Sequence, residues 1–302
     1  LAETNKRKSL IVIVGPTAVG KTSVAIELAK QFNTEIVSAD SRQFYKEISI
    51  GTAKPSDEEL LEVKHHFINS HSIQEVYSAG AFERDALSVL EEIFSRKDKA
   101  IAIGGSGLFI KALTEGLDIL PTPEAGVREK WNNKLEECGI SHLQEALQKI
   151  DPAYYKEVDK NNPQRLVRAL EVYETTGVPF SEFRINKKNK RPFQIIPIAL
   201  NMDRALLYER INSRVDLMMQ EGLLKEVESV HLYKDIPALK TVGYQEIFEY
   251  LEGQIDLATA VDKIKQNTRR YAKRQITWFK KMDGVEFFHP ENMQEILKHI
   301  KG

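Results

Sequence analysis

The stretch Gly15-Pro16-Thr17-Ala18-Val19-Gly20-Lys21-Thr22 follows an apolar run at 10–14 and precedes a helical pattern at 21–32. The spacing G-x-x-x-x-G-K-T between a strand and a helix is a phosphate cradle. Its backbone N–H groups wrap an oligophosphate, Lys21 adds positive charge, and Thr22 offers a hydroxyl to Mg²⁺. The helix that follows directs its positive end at the same anion. Such a loop reads charge and oxygen geometry, so ATP, GTP and a small organic diphosphate all remain open at this point.

Working outward, apolar or β-branched runs at 35–39, 99–103, 194–200 and 285–288 join 10–14 as expected strands, with helices at 21–32 and 81–96 between the first three. Strands alternating with helices imply a parallel sheet whose functional loops lie beyond the strands' carboxyl ends. Gly15, Asp40 and Gly104 then head three loops on one rim. After Leu120 the segment Pro121-Thr122-Pro123 punctuates the chain, and helical periodicity takes over at 124–138, 141–149, 163–176 and 179–183, with Gly139 and Gly177 placed as stops. Further helices are expected at 108–113, 204–221, 223–233, 244–252 and 257–282. The fold class is therefore α/β: a P-loop NTPase-like parallel sheet core at 1–115 and 194–302, with an inserted helical domain at 116–193 and C-terminal helices.

A chain of 302 residues has room for such a core and an insertion. Its single cysteine, Cys138, excludes an internal disulfide and fits a reducing compartment, and no apolar stretch approaches the length of a membrane helix. A cytoplasmic location without membrane contact is the expectation. The formal net charge of −1 excludes a uniformly basic coat, yet 184–191 carries five basic residues and no acid, and 267–281 carries six and no acid. Two such patches point to a polyanionic partner that engages particular surfaces, or else to solvated faces.

Asp40-Ser41-Arg42-Gln43 follows the second strand, and Asp40 there can bind Mg²⁺, act as a general base, or simply cap a turn. In Gly104-Gly105-Ser106-Gly107 the glycines permit close approach and Ser106 supplies a hydroxyl. Arg210 and Arg214 share one helix face and can clamp a leaving diphosphate, or pair with Asp203, Glu209 and Asp216. Adjacent His65 and His66 diverge too far for a helical metal pair, which favours packing or a hydrogen bond. Residues 269–281 interleave bases with Tyr271, Trp278 and Phe279, aromatics expected to face the core.

Added to these are Ile50-Gly51-Thr52-Ala53-Lys54-Pro55, Arg165-Leu166-Val167-Arg168-Ala169-Leu170-Glu171, Val242-Gly243-Tyr244 and the run from Thr268 to Trp278. In order and spacing the set resembles the bacterial-type tRNA dimethylallyltransferases, or tRNA isopentenyltransferases, over 10–288. The resemblance implies transfer of a dimethylallyl group from dimethylallyl diphosphate to the exocyclic N6 amine of the adenine just 3′ of a tRNA anticodon. Gly15 to Thr22 would hold the diphosphate, with Mg²⁺ at Thr22 as cofactor. Asp40 would be the base, with Ser106, Arg210 and Arg214 completing the catalytic set. Contacts to tRNA would come from Asp40, Ser41, Arg42, Gln43, Ser106, Arg128, Gln164, Arg165, Leu166, Val167, Arg168, Lys240, Thr241, Val242, Gly243, Tyr244 and Gln245, with Lys273 and Arg274 from the second basic patch. The insertion would clamp the anticodon stem-loop, and the RNA would supply the large interface of a monomer. Ser106 stands where the family pattern has threonine, Phe109 where it has tyrosine and Asn69 where it has aspartate. Three alternatives share the cradle: a prenyltransferase for free adenine nucleotides, a small-molecule kinase, and a non-catalytic RNA-binding module in which it only senses a nucleotide. The insertion and the basic C-terminal helix favour RNA.

Overall fold

The computed structural model describes residues 8–185 and 188–301. Its elements, in chain order, are β1 (Ser9–Val14), α1 (Lys21–Phe32), β2 (Ile36–Ser38), α2 (Asp57–Glu62), β3 (His65–His66), α3 (Ala79–Arg96), β4 (Lys99–Gly104), α4 (Gly107–Glu115), α5 (Val127–Ile150), α6 (Pro152–Glu157), α7 (Pro163–Thr176), α8 (Phe180–Phe183), β5 (Gln194–Leu200), α9 (Arg204–Glu221), α10 (Leu223–Ser229), a 3₁₀ turn (His231–Tyr233), α11 (Gln245–Leu251), α12 (Leu257–Phe279), β6 (Glu286–Phe288) and α13 (Met293–Lys301). The chain divides into two compact units, one formed up to Glu115 and from Lys190 onward, the other by Gly116–Asn189.

The first unit is built on one six-stranded sheet of order β3-β2-β4-β1-β5-β6, with every pair parallel. The most apolar strand takes the centre: all six residues of β1 are buried. Because successive side chains alternate faces, Ile11 and Ile13 pack with α1, α9 and α13, whereas Leu10, Val12 and Val14 pack with α3 and α4. Val14 is in register with Gly104 of β4 and Ala199 of β5, so the three strands end level and their loops open on one rim. A third apolar cluster joins Tyr45 and Ile48 to Val215, Leu223, Leu239, Tyr244 and Ile264 and fixes the C-terminal helices beside that rim.

The second unit is helical around Leu143, Leu147, Tyr154, Leu166, Val167, Leu170 and Phe180. Buried Asp151 ties it together locally: Oδ1 accepts the Tyr154 N–H at the start of α6 and Oδ2 accepts the Ser181 N–H at 2.7 Å.

Several boundaries move for physical reasons. Lys190 to Phe193 join the first unit, so the division falls at Asn189 and not at 193. There the Arg191 guanidinium donates to the Leu113 and Ala112 carbonyls and pairs with Glu83 at 2.7 Å, and Phe193 packs on Phe94. Helix α3 begins two residues early because Ser78 caps it through the Ala81 N–H. The expected helices at 124–138 and 141–149 form one stretch broken at Gly139, whose φ of 75° and ψ of 175° are not helical. Helix α10 stops at Ser229 and a 3₁₀ turn completes the expected 223–233 segment. Helix α12 ends at Phe279, short of 282. The basic run 184–191 includes residues 186 and 187, which lie outside the described residues.

Candidate active site

The loop after β1 turns through three positive-φ residues, Gly15 (148°), Ala18 (66°) and Gly20 (102°). Gly15 is obligatory on space as well, since a Cβ there would lie 2.6 Å from the Leu200 carbonyl oxygen. Lys21 curls back over the loop, its Nζ donating to the carbonyls of Pro16 at 2.8 Å and Gly15 at 3.1 Å. Burial pushes its ammonium down to about 8; Asp40 pulls it partly back up and Arg214 depresses it further. Lys21, Asp40 and Arg214 therefore share one electrostatic environment.

The loops frame a cleft of about 870 Å³ lined by Lys21, Thr22, Asp40, Ser106, Arg210 and Arg214. Arg210 reaches the cradle: its Nη2 stands 3.8 Å from where a Gly20 Cβ would be. Among the described residues neither arginine has a carboxylate within ion-pair distance. Asp203 caps α9 and Asp216 pairs with Lys265 at 2.6 Å, so the salt-bridged alternative does not hold. Burial and the like charge of Arg210 lower the pKa of Arg214, and Glu59 partly offsets them.

On the other side of the cleft, Asp40 Oδ1 accepts the Arg42 N–H at 3.0 Å, an Asx turn that holds the carboxylate after β2. Ser106 meets the same loop: its Oγ accepts the Ser41 N–H at 3.1 Å and shares a 3.0 Å hydrogen bond with Ser41 Oγ. The Tyr271 hydroxyl shares this corner with Asp40, Arg42 and Ser106, raised to about 12 chiefly by burial and secondly by Asp40.

Seven expected contacts change character. Arg42 spends its guanidinium on the carbonyls of Pro237, Ala238 and Lys240, and Gln43 spends its amide on Thr52 and Ala53, so both position neighbouring segments. Leu166 and Val167 lie in the apolar core of the second unit, and Tyr244 is fully buried with its hydroxyl on Glu226 at 2.6 Å. Those three side chains pack and do not present a surface to RNA. Arg128 and Arg168 are both held by buried Glu171, at 2.9 and 3.0 Å. Gln164, Arg165, Lys240, Gln245, Lys273 and Arg274 are exposed, Thr241 and Val242 line the cleft, and Gly243 is buried with its N–H on Glu246 at 2.8 Å.

Of the aromatics assigned to the core, Phe279 is buried, but Tyr271 lines the cleft and Trp278 is 44% exposed. His65 and His66 form β3, where His66 Nε2 meets Glu35 at 2.7 Å and His65 Nδ1 meets the Val63 carbonyl. Sequence reasoning missed Gln275, Glu226 and Lys54, each of which binds backbone at the cleft. Lys54 and Gln275 lie in the motifs 50–55 and 268–278, but only the four-residue register of Gln275 with Tyr271 hinted at where its side chain points.

The IPP transferase family model matches residues 43–282. A tRNA dimethylallyltransferase of Christiangramia forsetii is 50% identical over 97% of both chains, and tRNA dimethylallyltransferase 1 of Bacteroides fragilis is 45% identical over 97% of this chain and 98% of its own. Among solved structures, the tRNA isopentenylpyrophosphate transferase of Bacillus halodurans superposes with a TM-score of 0.72 at 35% identity, covering 98% of this chain and 96% of that one. A eukaryotic dimethylallyltransferase acting on tRNA superposes with a TM-score of 0.79 at 28% identity, covering 97% and 77%. With the loop of residues 15–22 and Asp40 lining one cleft, and with such relatedness along nearly its whole length, the chain belongs to the tRNA dimethylallyltransferase family.

Proposed function

We propose that this protein transfers the dimethylallyl group of dimethylallyl diphosphate to the N6 amine of the adenine 3′-adjacent to the anticodon of a tRNA. The observation that carries the reading is that Lys21 and Asp40 line one cleft, near enough for Asp40 to offset part of the burial that lowers the Lys21 pKa. The diphosphate lies in the cradle of residues 15–22, against Lys21, Arg210 and Arg214. As the allylic carbon–oxygen bond breaks, its electron pair stays with the diphosphate, whose growing charge these cations and the loop amides stabilise. The N6 lone pair forms the new bond to carbon, and Asp40 accepts the proton that N6 releases. Ser106 and Ser41 keep the Asp40 loop in place.

The Thr22 hydroxyl lines the cleft, and no cluster of three metal-ligating side chains exists among the described residues. That donor set fits Mg²⁺ held mainly by substrate oxygens, with Thr22 as its protein ligand. When bound, the ion would offset diphosphate charge. The adenine has to leave its stack to reach Asp40, and the exposed or cleft-lining Lys240, Thr241, Gln245, Lys273 and Arg274 would hold the RNA around it. Gln164 and Arg165, exposed on the second unit, serve the stem-loop, while Arg128 and Arg168 stay with Glu171.

Mass spectrometry of unmodified tRNA incubated with enzyme and dimethylallyl diphosphate is expected to show one prenylated adenosine. Asp40→Ala is expected to slow its formation about 10²-fold or more, the range for removing a general base. Incorporation into AMP and not into tRNA, or phosphorylation of a small acceptor from ATP, would sink the reading.

A further inference from the structure

Helix α12 sends one neutral side chain between the donor and acceptor loops. Gln275 is 5% exposed, and the two ends of its carboxamide point in different directions. Oε1 accepts the N–H of Thr17 in the phosphate cradle at 2.8 Å, and Nε2 donates to the carbonyl of Gly105 at 3.0 Å. Among the described residues it is the one side chain hydrogen-bonded to both loops. Gly105 leads directly into Ser106, which binds Ser41 beside Asp40. A continuous path thus runs from cradle through Gln275 to the loop that carries the base. The fit is close, for a Cβ on Gly105 would overlap Gln275 Nε2. Tyr271, one turn earlier on the same helix face, brings its hydroxyl 3.5 Å from the same carbonyl.

The chemistry of the link explains the residue type. One loop offers a donor and the other an acceptor, and a primary amide answers both from a single rigid plane without charge. A carboxylate would set oxygen against the Gly105 carbonyl and add an anion beside a site built for anions. Group transfer between two substrates held on separate loops depends steeply on their separation, where about 1 Å of misplacement costs about 10²-fold in rate. We propose that Gln275 is a positioning residue that fixes the gap between the diphosphate cradle and the acceptor loop, and so the distance the prenyl group crosses. The proposal rests on the transfer reaction above.

The test separates rate from binding. Single-turnover transfer to tRNA is measured alongside the dissociation constants of inorganic pyrophosphate and of tRNA for wild type, Gln275→Met and Gln275→Glu. Gln275→Met is expected to lower the transfer rate about 10- to 10²-fold while both dissociation constants stay within about threefold. Gln275→Glu is expected to lower the rate and also weaken pyrophosphate binding. Gly105→Ala, which displaces the amide without removing it, is expected to reproduce the Gln275→Met split and tests the link independently. Rates within twofold of wild type in Gln275→Met or Gly105→Ala would overturn the role. So would rate and binding falling together in proportion to the folded fraction. Absence of transfer by the wild-type enzyme strikes the parent reaction instead, and is seen in the same experiment.

Discussion

Glu35 shows how a single charge is stabilised far from the chemistry. At the entry to β2, its buried carboxylate meets His66 at 2.7 Å, Arg96 at 3.0 Å and Lys64 at 3.2 Å. Burial raises its pKa, but the hydrogen bonds from His66 and Lys64 and the charges of Lys64 and Arg96 outweigh it, so the folded value lies below the ordinary one. A carboxylate depressed in the folded state adds stability above its unfolded pKa, and loses that contribution as pH falls through the folded value. Glu35→Gln is therefore expected to cost about 1–3 kcal/mol at pH 7, the range for hydrogen bonds to a charged group. The deficit relative to wild type should shrink below the unfolded value of 4.5. Denaturant unfolding of both proteins across that range checks it, and a pH-independent difference would show that packing, not charge, is what the substitution removes. The same residue explains a limit of sequence reading. Two histidines carry no strand alternation, and β3 becomes visible only when Glu35, 31 residues away, is seen to hold His66.

At the scale of elements, legibility followed the apolar pattern. Strand β1, the glycine loop and α1 were readable because a buried run, a spacing and a helical period adjoin one another. Helix α2 shows no apolar period, since it buries no residue, and only its capping box of Ser56 and Glu59 marks it in the sequence. Helix α6 did leave a trace, Asp151 followed by Pro152 at the first helical position, and so did α13, in the four-residue spacing of Ile296 and Ile300. Asp151 joins two elements of the second unit, α6 through the Tyr154 N–H and α8 through the Ser181 N–H. Removing its carboxylate leaves two donors without their partner at a site 2% exposed. Asp151→Ala is expected to destabilise that unit by about 2–4 kcal/mol, combining a lost cap with a lost buried hydrogen bond. Hydrogen exchange should register the loss in α6 and α8 while β1 and β4 keep their protection. Uniform loss of protection across the sheet as well would show that the two units unfold as one.

For the whole molecule, the question is how a chain of net charge −1 engages a polyanion. A neutral chain offers no general attraction, so affinity has to come from a few cations without acidic partners, and the structure separates these from decoys. Arg128 and Arg168 share Glu171, Arg191 is spent on Glu83, and Arg269 is bound to Asn212 at 2.6 Å while lying over Tyr208. Lys273 and Arg274, adjacent and exposed on α12, have no carboxylate within ion-pair distance among the described residues. Charge counting in the sequence identified the patch at 267–281 but not that Arg269 is held by Asn212 of α9 and Arg270 by Asn267 of its own helix. If Lys273 and Arg274 each meet one phosphate of a looped RNA, each contributes about 0.7–0.9 to the slope of log K against log salt. Replacing both by glutamine should lower that slope by about 1.5 and weaken binding at low salt far more than at high salt. Titrating tRNA binding from about 50 to 300 mM salt measures it, a range over which a counterion-release slope is resolved. A parallel shift of the line, with its slope intact, would mean that the pair acts through helix packing and that the phosphates lie elsewhere. The α12 cations sit on the same helix as Gln275, so a normal single-turnover rate at saturating tRNA in the double variant would also separate RNA capture from the alignment of the two loops.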